Sequence, residues 1–173
     1  MHRLRLGLLL LLAGCGPRVP GGDAVYRAAA APIYSNAVFD ANKIEGTWSQ
    51  VAAFAGVAET SCGTGEAEFS RAATGMQARY RLCLSGEVVV GKGAFVATGP
   101  GRFKVAERSG LPQDWWVLWV DESYRTMAIG TPSGAFGFIL NRGADLPKDR
   151  LTAAREVFDF NGYNTKKIVV FAK

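Results

Sequence analysis

The sequence predicts a mainly β protein: an eight-stranded up-and-down antiparallel barrel with a C-terminal helix and a final short strand. Three observations predict it. From Gly46 onward, short runs alternating apolar and polar residues recur at even spacing, separated by turn residues. After Pro147 the apolar period lengthens to that of a helix. The 173 residues are 49% hydrophobic and 20% charged, which suits one domain with a sizeable core and excludes disorder, collagen and coiled coil.

The elements follow in order. Thr47–Phe54 is the first alternating run, and Ala67–Arg71 and Met76–Leu84 flank the turn Ala72-Ala73-Thr74-Gly75. Glu87–Thr98 and Arg102–Glu107 flank Gly99-Pro100-Gly101. Trp115–Val120 leads closely into Tyr124–Gly130, and Ala135–Arg142 follows Thr131-Pro132-Ser133-Gly134. Eight strands at this spacing suit an up-and-down barrel. Pro147 can open a helix, Leu151, Ala154, Val157 and Phe158 share one face of it, and Asn161-Gly162 can end it. Lys166–Phe171 is the last strand.

The chain before this pattern carries signals of its own. Arg3 and Arg5 precede the apolar run Leu6–Leu12, which is far shorter than the ~20 residues of a membrane span. Small residues follow it, so residues 1–14 read as a secretory signal. Leu12-Ala13-Gly14-Cys15 resembles the lipobox of bacterial lipoproteins, which implies cleavage before Cys15 and acylation of its thiol and amine. Several acyl chains make a stable anchor where one is marginal. Residues 15–38, with Pro17, Pro20, Gly21 and Gly22 and then an alanine-rich stretch, read as a tether, leaving 39–173 as the folded domain.

Processing sharpens what the composition excludes. The single histidine, His2, lies in the signal, so the mature chain offers no histidine for a triad, a zinc site or a general base. Loss of Arg3 and Arg5 lowers the net charge from +5 to +3 without leaving a dense basic run, which disfavours nucleic acid. No metal and no cofactor are expected. With Cys15 acylated, Cys62 and Cys83 remain as an even pair in an oxidising compartment, which favours a disulfide. A turn near Ala73 and Thr74 brings the two roughly opposite each other.

Three separated segments carry a family resemblance. Phe39-Asp40-Ala41-Asn42-Lys43-Ile44-Glu45-Gly46-Thr47-Trp48 contains a Gly-x-Trp; Val120-Asp121-Glu122-Ser123-Tyr124 spans the turn between the sixth and seventh strands; Phe138-Ile139-Leu140-Asn141-Arg142 ends the eighth. In these segments the chain resembles the lipocalins, and particularly the bacterial outer-membrane lipoprotein lipocalins. The resemblance implies that Gly46, Trp48, Asp121, Tyr124 and Arg142 meet at the barrel's base, with Arg142 stacked on Trp48 as a plug. It further implies a pocket opening at the opposite end, the mouth, formed by the Ala55–Gly65 loop, the Leu84–Glu87 turn, Ser109–Gln113 and Thr131–Gly134. Those relatives often carry a tyrosine after the motif tryptophan and a basic residue near the end of the first strand; Ser49 and Ala53 stand here instead.

Strand parity from Trp48 nominates Gln50, Ala52 and Phe54 as pocket-lining residues, with Tyr80, Phe95, Trp116 and Phe138 as further candidates. The implied function is a membrane-anchored lipocalin that binds or carries a small hydrophobic ligand, such as a fatty acid or lysophospholipid. The resemblance places it at the bacterial outer membrane facing the periplasm, and Gly16 after Cys15 lacks the aspartate linked to inner-membrane retention. No catalytic residue is expected: in the less favoured reading of a lipocalin-fold enzyme on a lipophilic substrate, acid–base work would fall to Glu66, Glu68, Asp114 or Tyr80, which stand without a recognisable partner spacing. The alternative is an interaction module whose barrel is filled by Phe95, Phe103, Trp115, Trp116, Trp119, Phe136 and Phe138.

Overall fold

The computed structural model describes residues 25–56, 62–105 and 114–171. The signal segment, Cys15 and the mouth-loop positions 57–61 and 106–113 lie outside the described residues.

Eight strands form a closed antiparallel ring: β1 (Gly46–Phe54), β2 (Gly65–Ala72), β3 (Gly75–Leu84), β4 (Glu87–Gly99), β5 (Arg102–Val105), β6 (Trp115–Val120), β7 (Thr126–Gly130) and β8 (Gly137–Asn141). Each strand pairs with its sequence neighbours, and β1 closes the ring by pairing with both β2 and β8. The helix α1 (Lys148–Phe160) lies against the outside of β6 and β7. A short β9 (Ile168–Val170) is bonded outside the ring.

The strand ends differ from the sequence expectation where side chains compete for the backbone. The seventh strand begins at Thr126 rather than Tyr124. Here the Asp121 carboxylate accepts hydrogen bonds from the backbone N–H groups of Ser123, Arg125 and Thr126, holding 121–125 as a turn. The last strand shortens because the Asn164 side chain accepts from Lys166 N and caps a 3-10 turn over Thr165–Lys167.

β2 accompanies β1 only from Gly46 to Gln50; beyond that point β9 takes the vacated edge, pairing Ala52 with Val170 and Phe54 with Ile168. Against β8 the register of β1 shifts between Gln50 and Ala52, a β-bulge. The bulge reverses the parity of the strand's far half. Ala53 faces the barrel interior, whereas Val51, Ala52 and Phe54 face outward.

Two hydrophobic cores result. The inner one fills the barrel and includes Trp48, Phe69, Tyr80, Phe95, Phe103, Trp115, Met127 and Phe138. The outer one lies between the barrel wall and α1, where Phe54 meets Phe158 and Tyr163 at ring-centroid distances of 4.9 Å each. Ala154 and Phe158 are the fully buried residues of the helix, with Leu151 and Val157 half-buried beside them.

Residues 25–38, expected to belong to a tether, pack along the barrel instead. Tyr26 N–H donates to Gly134 O at 2.8 Å and Asn164 N–H donates to Tyr26 O at 2.8 Å. Further along, Asn36 N–H donates to Val117 O at 2.8 Å. Arg27 is buried and donates to the carbonyls of Asn161, Pro132 and Ala31. Its charge thereby sits at the C-terminal end of α1, where the helix dipole favours a cation.

Candidate ligand-binding site

The base end is closed by the residues of the three motifs. Gly46 has φ +106°, and a Cβ there would come within 2.9 Å of Arg142 Nη1, so glycine is required twice over. The Arg142 guanidinium lies over the Trp48 ring at 4.1 Å from its centroid. Its two terminal nitrogens donate to Glu45 O at 2.7 Å and Lys43 O at 3.0 Å, and Trp48 Nε1 donates to Ile44 O at 2.7 Å. Partial burial lowers the Arg142 pKa from its ordinary value. Tyr124, at φ 52°, accepts from Asp40 N–H through its hydroxyl at 2.9 Å and packs against Phe39. Every one of these bonds ties the segment before β1 across the barrel's base.

Beside this plug, a cleft of about 410 Å³ lies between the 3-10 turn Ala41–Lys43 and the β2–β3 turn, with Arg71 and Thr74 at its rim and Met76, Phe95 and Phe103 below.

The interior above the base is aromatic. Phe95 stacks on Phe103 at 4.2 Å, and Trp115 contacts Tyr80 at 5.0 Å and Phe138 at 5.2 Å. Of the sequence-nominated lining residues, Tyr80, Phe95 and Phe138 lie in this inner core. Ala52 and Phe54 do not, because the bulge turns them into the outer core. Trp116 does not either: it packs with the outer core, and Arg102 covers its ring at 4.1 Å. The inner residue is its neighbour Trp115, which parity could not select from an adjacent tryptophan pair.

Gln50 is inward and wholly buried, but its side chain is committed. Its amide donates to Cys83 O at 2.8 Å and accepts from Cys83 N–H at 2.7 Å, completing the ladder where β2 has ended. Gly65 makes this reach possible, since a Cβ there would stand 2.4 Å from Gln50 Oε1. Cys83 also forms the disulfide with Cys62, so one residue of β3 receives both the covalent bond and the glutamine clamp.

Polar atoms are sparse inside. Among the described residues, Arg27 is the one buried charged side chain, and it lies outside the ring at the C-terminal end of α1. Tyr80 contributes a buried hydroxyl, and the buried Trp115 indole N–H has no hydrogen-bond partner among the described residues. An unsatisfied donor of this kind costs roughly 1–3 kcal/mol, which an acceptor brought into the interior would recover.

A closed antiparallel barrel with an apolar interior and an arginine–tryptophan plug at its base narrows the family greatly, and the comparisons agree. The family model described as a lipocalin-like domain matches residues 39–173. The chain belongs to the lipocalin-like family. Among curated proteins, none matches this lipocalin in sequence. Solved structures do match in fold. The siderocalin Ex-FABP, described as functioning through dual ligand specificities, superposes with a TM-score of 0.57 at 12% identity, covering 76% of this chain and 95% of that one. Lobster apocrustacyanin A1 gives 0.57 at 15% identity, covering 78% and 79%. Insecticyanin from the tobacco hornworm Manduca sexta gives 0.56 at 15%, covering 86% and 87%. The lipocalin fold is typical of proteins that bind small hydrophobic ligands.

The lining nominations omitted Phe69, and they omitted Phe103 and Trp115, which the sequence offered only as fillers of a closed barrel; Tyr26 and Arg27, the clasp of the mouth end, were missed. Alternation in the second and fifth strands could have found Phe69 and Phe103. No local pattern marks Tyr26 or Arg27, whose bonds to Ser85, Pro132 and Asn161 reach 59 to 134 residues along the chain.

Proposed function

We propose that this lipocalin, anchored at the bacterial envelope through acyl chains on Cys15, binds or carries a small hydrophobic ligand such as a fatty acid or lysophospholipid. The observation that carries the binding reading is the chemistry of the barrel interior: an aromatic inner core, with the one buried charged side chain among the described residues, Arg27, lying outside the ring. Such an interior favours an alkyl chain and leaves a charged headgroup outside, because an isolated charge buried there would cost many kcal/mol. A dozen methylenes at ~0.8 kcal/mol each supply about 10 kcal/mol of gross transfer energy, and ordering costs bring the expected affinity to the micromolar range. The lipobox-like Leu12-Ala13-Gly14-Cys15 supports the anchor, and the bacterial lipoprotein resemblance supports an outer-membrane address facing the periplasm.

One observation favours the alternative of a filled barrel that acts as an interaction module. Ring contacts run without a break from Phe39 through Phe103, Phe95, Trp115 and Phe138 to Phe136. Native mass spectrometry of the protein challenged with fatty acids and lysophospholipids separates the two. A discrete, competitor-displaceable adduct is expected; a clean unliganded mass across every challenge would move the assignment to the filled barrel. The mass of the N-terminal peptide from the membrane fraction checks the acyl chains on Cys15.

A further inference from the structure

We infer that the mouth end of the barrel is the face that rests on the phospholipid bilayer in the anchored protein. This rests on the lipid attachment proposed for Cys15, and it concerns what that attachment does to orientation. The first described residues are not at the base, where β1 begins, but at the opposite end. Tyr26 N–H bonds to Gly134 O in the β7–β8 turn, and its hydroxyl bonds to Ser85 Oγ in the β3–β4 turn at 2.8 Å. Its ring lies 5.7 Å from that of Phe54, at the mouth end of β1. Arg27 fixes the same point by donating to Pro132 O and Asn161 O. From there the segment descends the outside of the barrel to Asp40 at the base.

Ten peptide links separate Cys15 from Val25. At no more than ~3.6 Å per residue they span at most about 36 Å. The nine residues of β1 measure about 30 Å along the strand at ~3.3 Å each. A tether shorter than its full reach therefore keeps the mouth nearer the membrane than the base, and seating the base would need the links drawn out along most of the barrel.

The side chains at the two ends fit the same orientation. Around the mouth, Val25, Val88 and Phe160 are 59%, 44% and 71% exposed, apolar groups with no packing partner sufficient to cover them. Val88 follows Glu87 at the start of β4, just beyond the Ser85–Gly86 turn, and Phe160 ends α1 next to the Arg27 clasp with its ring 5.7 Å from that of Tyr34. The base exposes Val38 and Val96 among Lys43, Arg71, Glu122 and Arg125, and the mouth sets its apolar groups beside Glu87, Asp159, Lys166 and Lys167, the two lysines suited to anionic headgroups. With its mouth on the bilayer, the barrel would exchange an apolar ligand with the lipid phase without carrying it through water.

The test uses the full-length, lipidated protein in vesicles of phosphatidylethanolamine and phosphatidylglycerol, with one reporter thiol at either end. Ser133→Cys reports on the mouth rim and Ala73→Cys on the β2–β3 turn at the base; both native residues are exposed. With Cys15 acylated and Cys62 bonded to Cys83, the reporter is the free thiol in each protein. A bulky water-soluble maleimide measures access, each rate normalised to that after the vesicles are dissolved in nonionic detergent. The expected result is at least tenfold slowing at Ser133→Cys, with Ala73→Cys within twofold, and recovery of most of the Ser133→Cys rate when Val88→Glu and Phe160→Glu are added. Equal slowing at both ends, slowing at Ala73→Cys alone, or no slowing overturns the orientation. The N-terminal peptide mass is read on the same sample. An acylated Cys15 with equal rates removes the orientation only; an unacylated Cys15 removes the anchor and the orientation together.

Discussion

The base and the mouth of this barrel are closed by different physics. At the base, cation–π stacking and hydrogen bonds join residues at strand termini: Arg142 to Trp48, Glu45 O and Lys43 O, and Tyr124 to Asp40. At the mouth, the ties are a disulfide, the Gln50 clamp on Cys83 and a clasp built from Tyr26, Arg27 and Tyr163. The base is a compact plug whose members interlock, whereas the mouth is pinned at separate points around a rim. A plug fails as a unit; separate pins fail one at a time.

The comparison predicts unequal responses to mutation. Trp48→Ala should have the largest effect, because it removes a fully buried ring and the surface on which Arg142 stacks. A loss of about 3–5 kcal/mol is expected from urea unfolding. Reduction of Cys62–Cys83 releases a 21-residue separation and should cost ~3 kcal/mol on the chain-entropy reckoning. The near-UV circular dichroism of the base aromatics should survive that reduction below the unfolding midpoint; its loss there would show that the ends are not independent.

Tyr163 supplies a pH-dependent test of the mouth clasp. Its hydroxyl accepts from Thr131 N–H and bonds to the carbonyls of Thr131 and Phe136, and burial pushes its pKa up from 10 to about 12. Above pH 10 the unfolded chain releases this proton while the folded protein retains it until about pH 12. Stability contributed by the neutral phenol is therefore complete below pH 10 and lost as pH rises from 10 to 12, by about 1.4 kcal/mol per pH unit. The wild-type slope minus that of Tyr163→Phe isolates the effect from the lysines; identical slopes would remove Tyr163 from the account.

Gln50→Ala should cost about 2 kcal/mol by leaving the Cys83 N–H and carbonyl unpaired in the interior. Amide exchange at Cys83 should accelerate while that at Trp48 stays slow. The smallest change is expected for Arg142→Met, roughly 1–2 kcal/mol for the lost stacking, with its two hydrogen bonds returned in part to water. If Arg142→Met proved as costly as Trp48→Ala, the plug would depend on the charge rather than on the buried ring.

Much of this architecture was legible in the residues. Alternation and turn chemistry are short-range properties, so the eight strands, the helix face of Ala154 and Phe158 and the ending at Gly162 could be read in order. The base was legible through the resemblance carried by its three motifs, whose members sit next to strand ends that the strand count brings to one end. The Cys62–Cys83 pairing followed from two cysteines flanking one hairpin.

The lining residues were legible only in part. Parity is an exact alternation until one extra residue enters, and the bulge after Gln50 sent Ala52 and Phe54 to the outer core while Ala53 turned inward. Nothing within β1 encodes that bulge; it is fixed by registering one strand against β8 and β9 at once. The two neighbouring tryptophans of β6 posed the same problem, and packing put Trp115 inside and Trp116 under Arg102.

By itself, then, the sequence determined the strand count, the order of elements and the disulfide, which depend on neighbours along the chain, while the plug was read from motifs shared with a family. Only the tertiary structure decided which faces became interior, how Gln50 replaced the missing stretch of β2, and that residues 26–36 fold back along the wall instead of hanging free. Those outcomes arise from contacts between residues far apart in sequence, whose energies exist only once the barrel has brought them together.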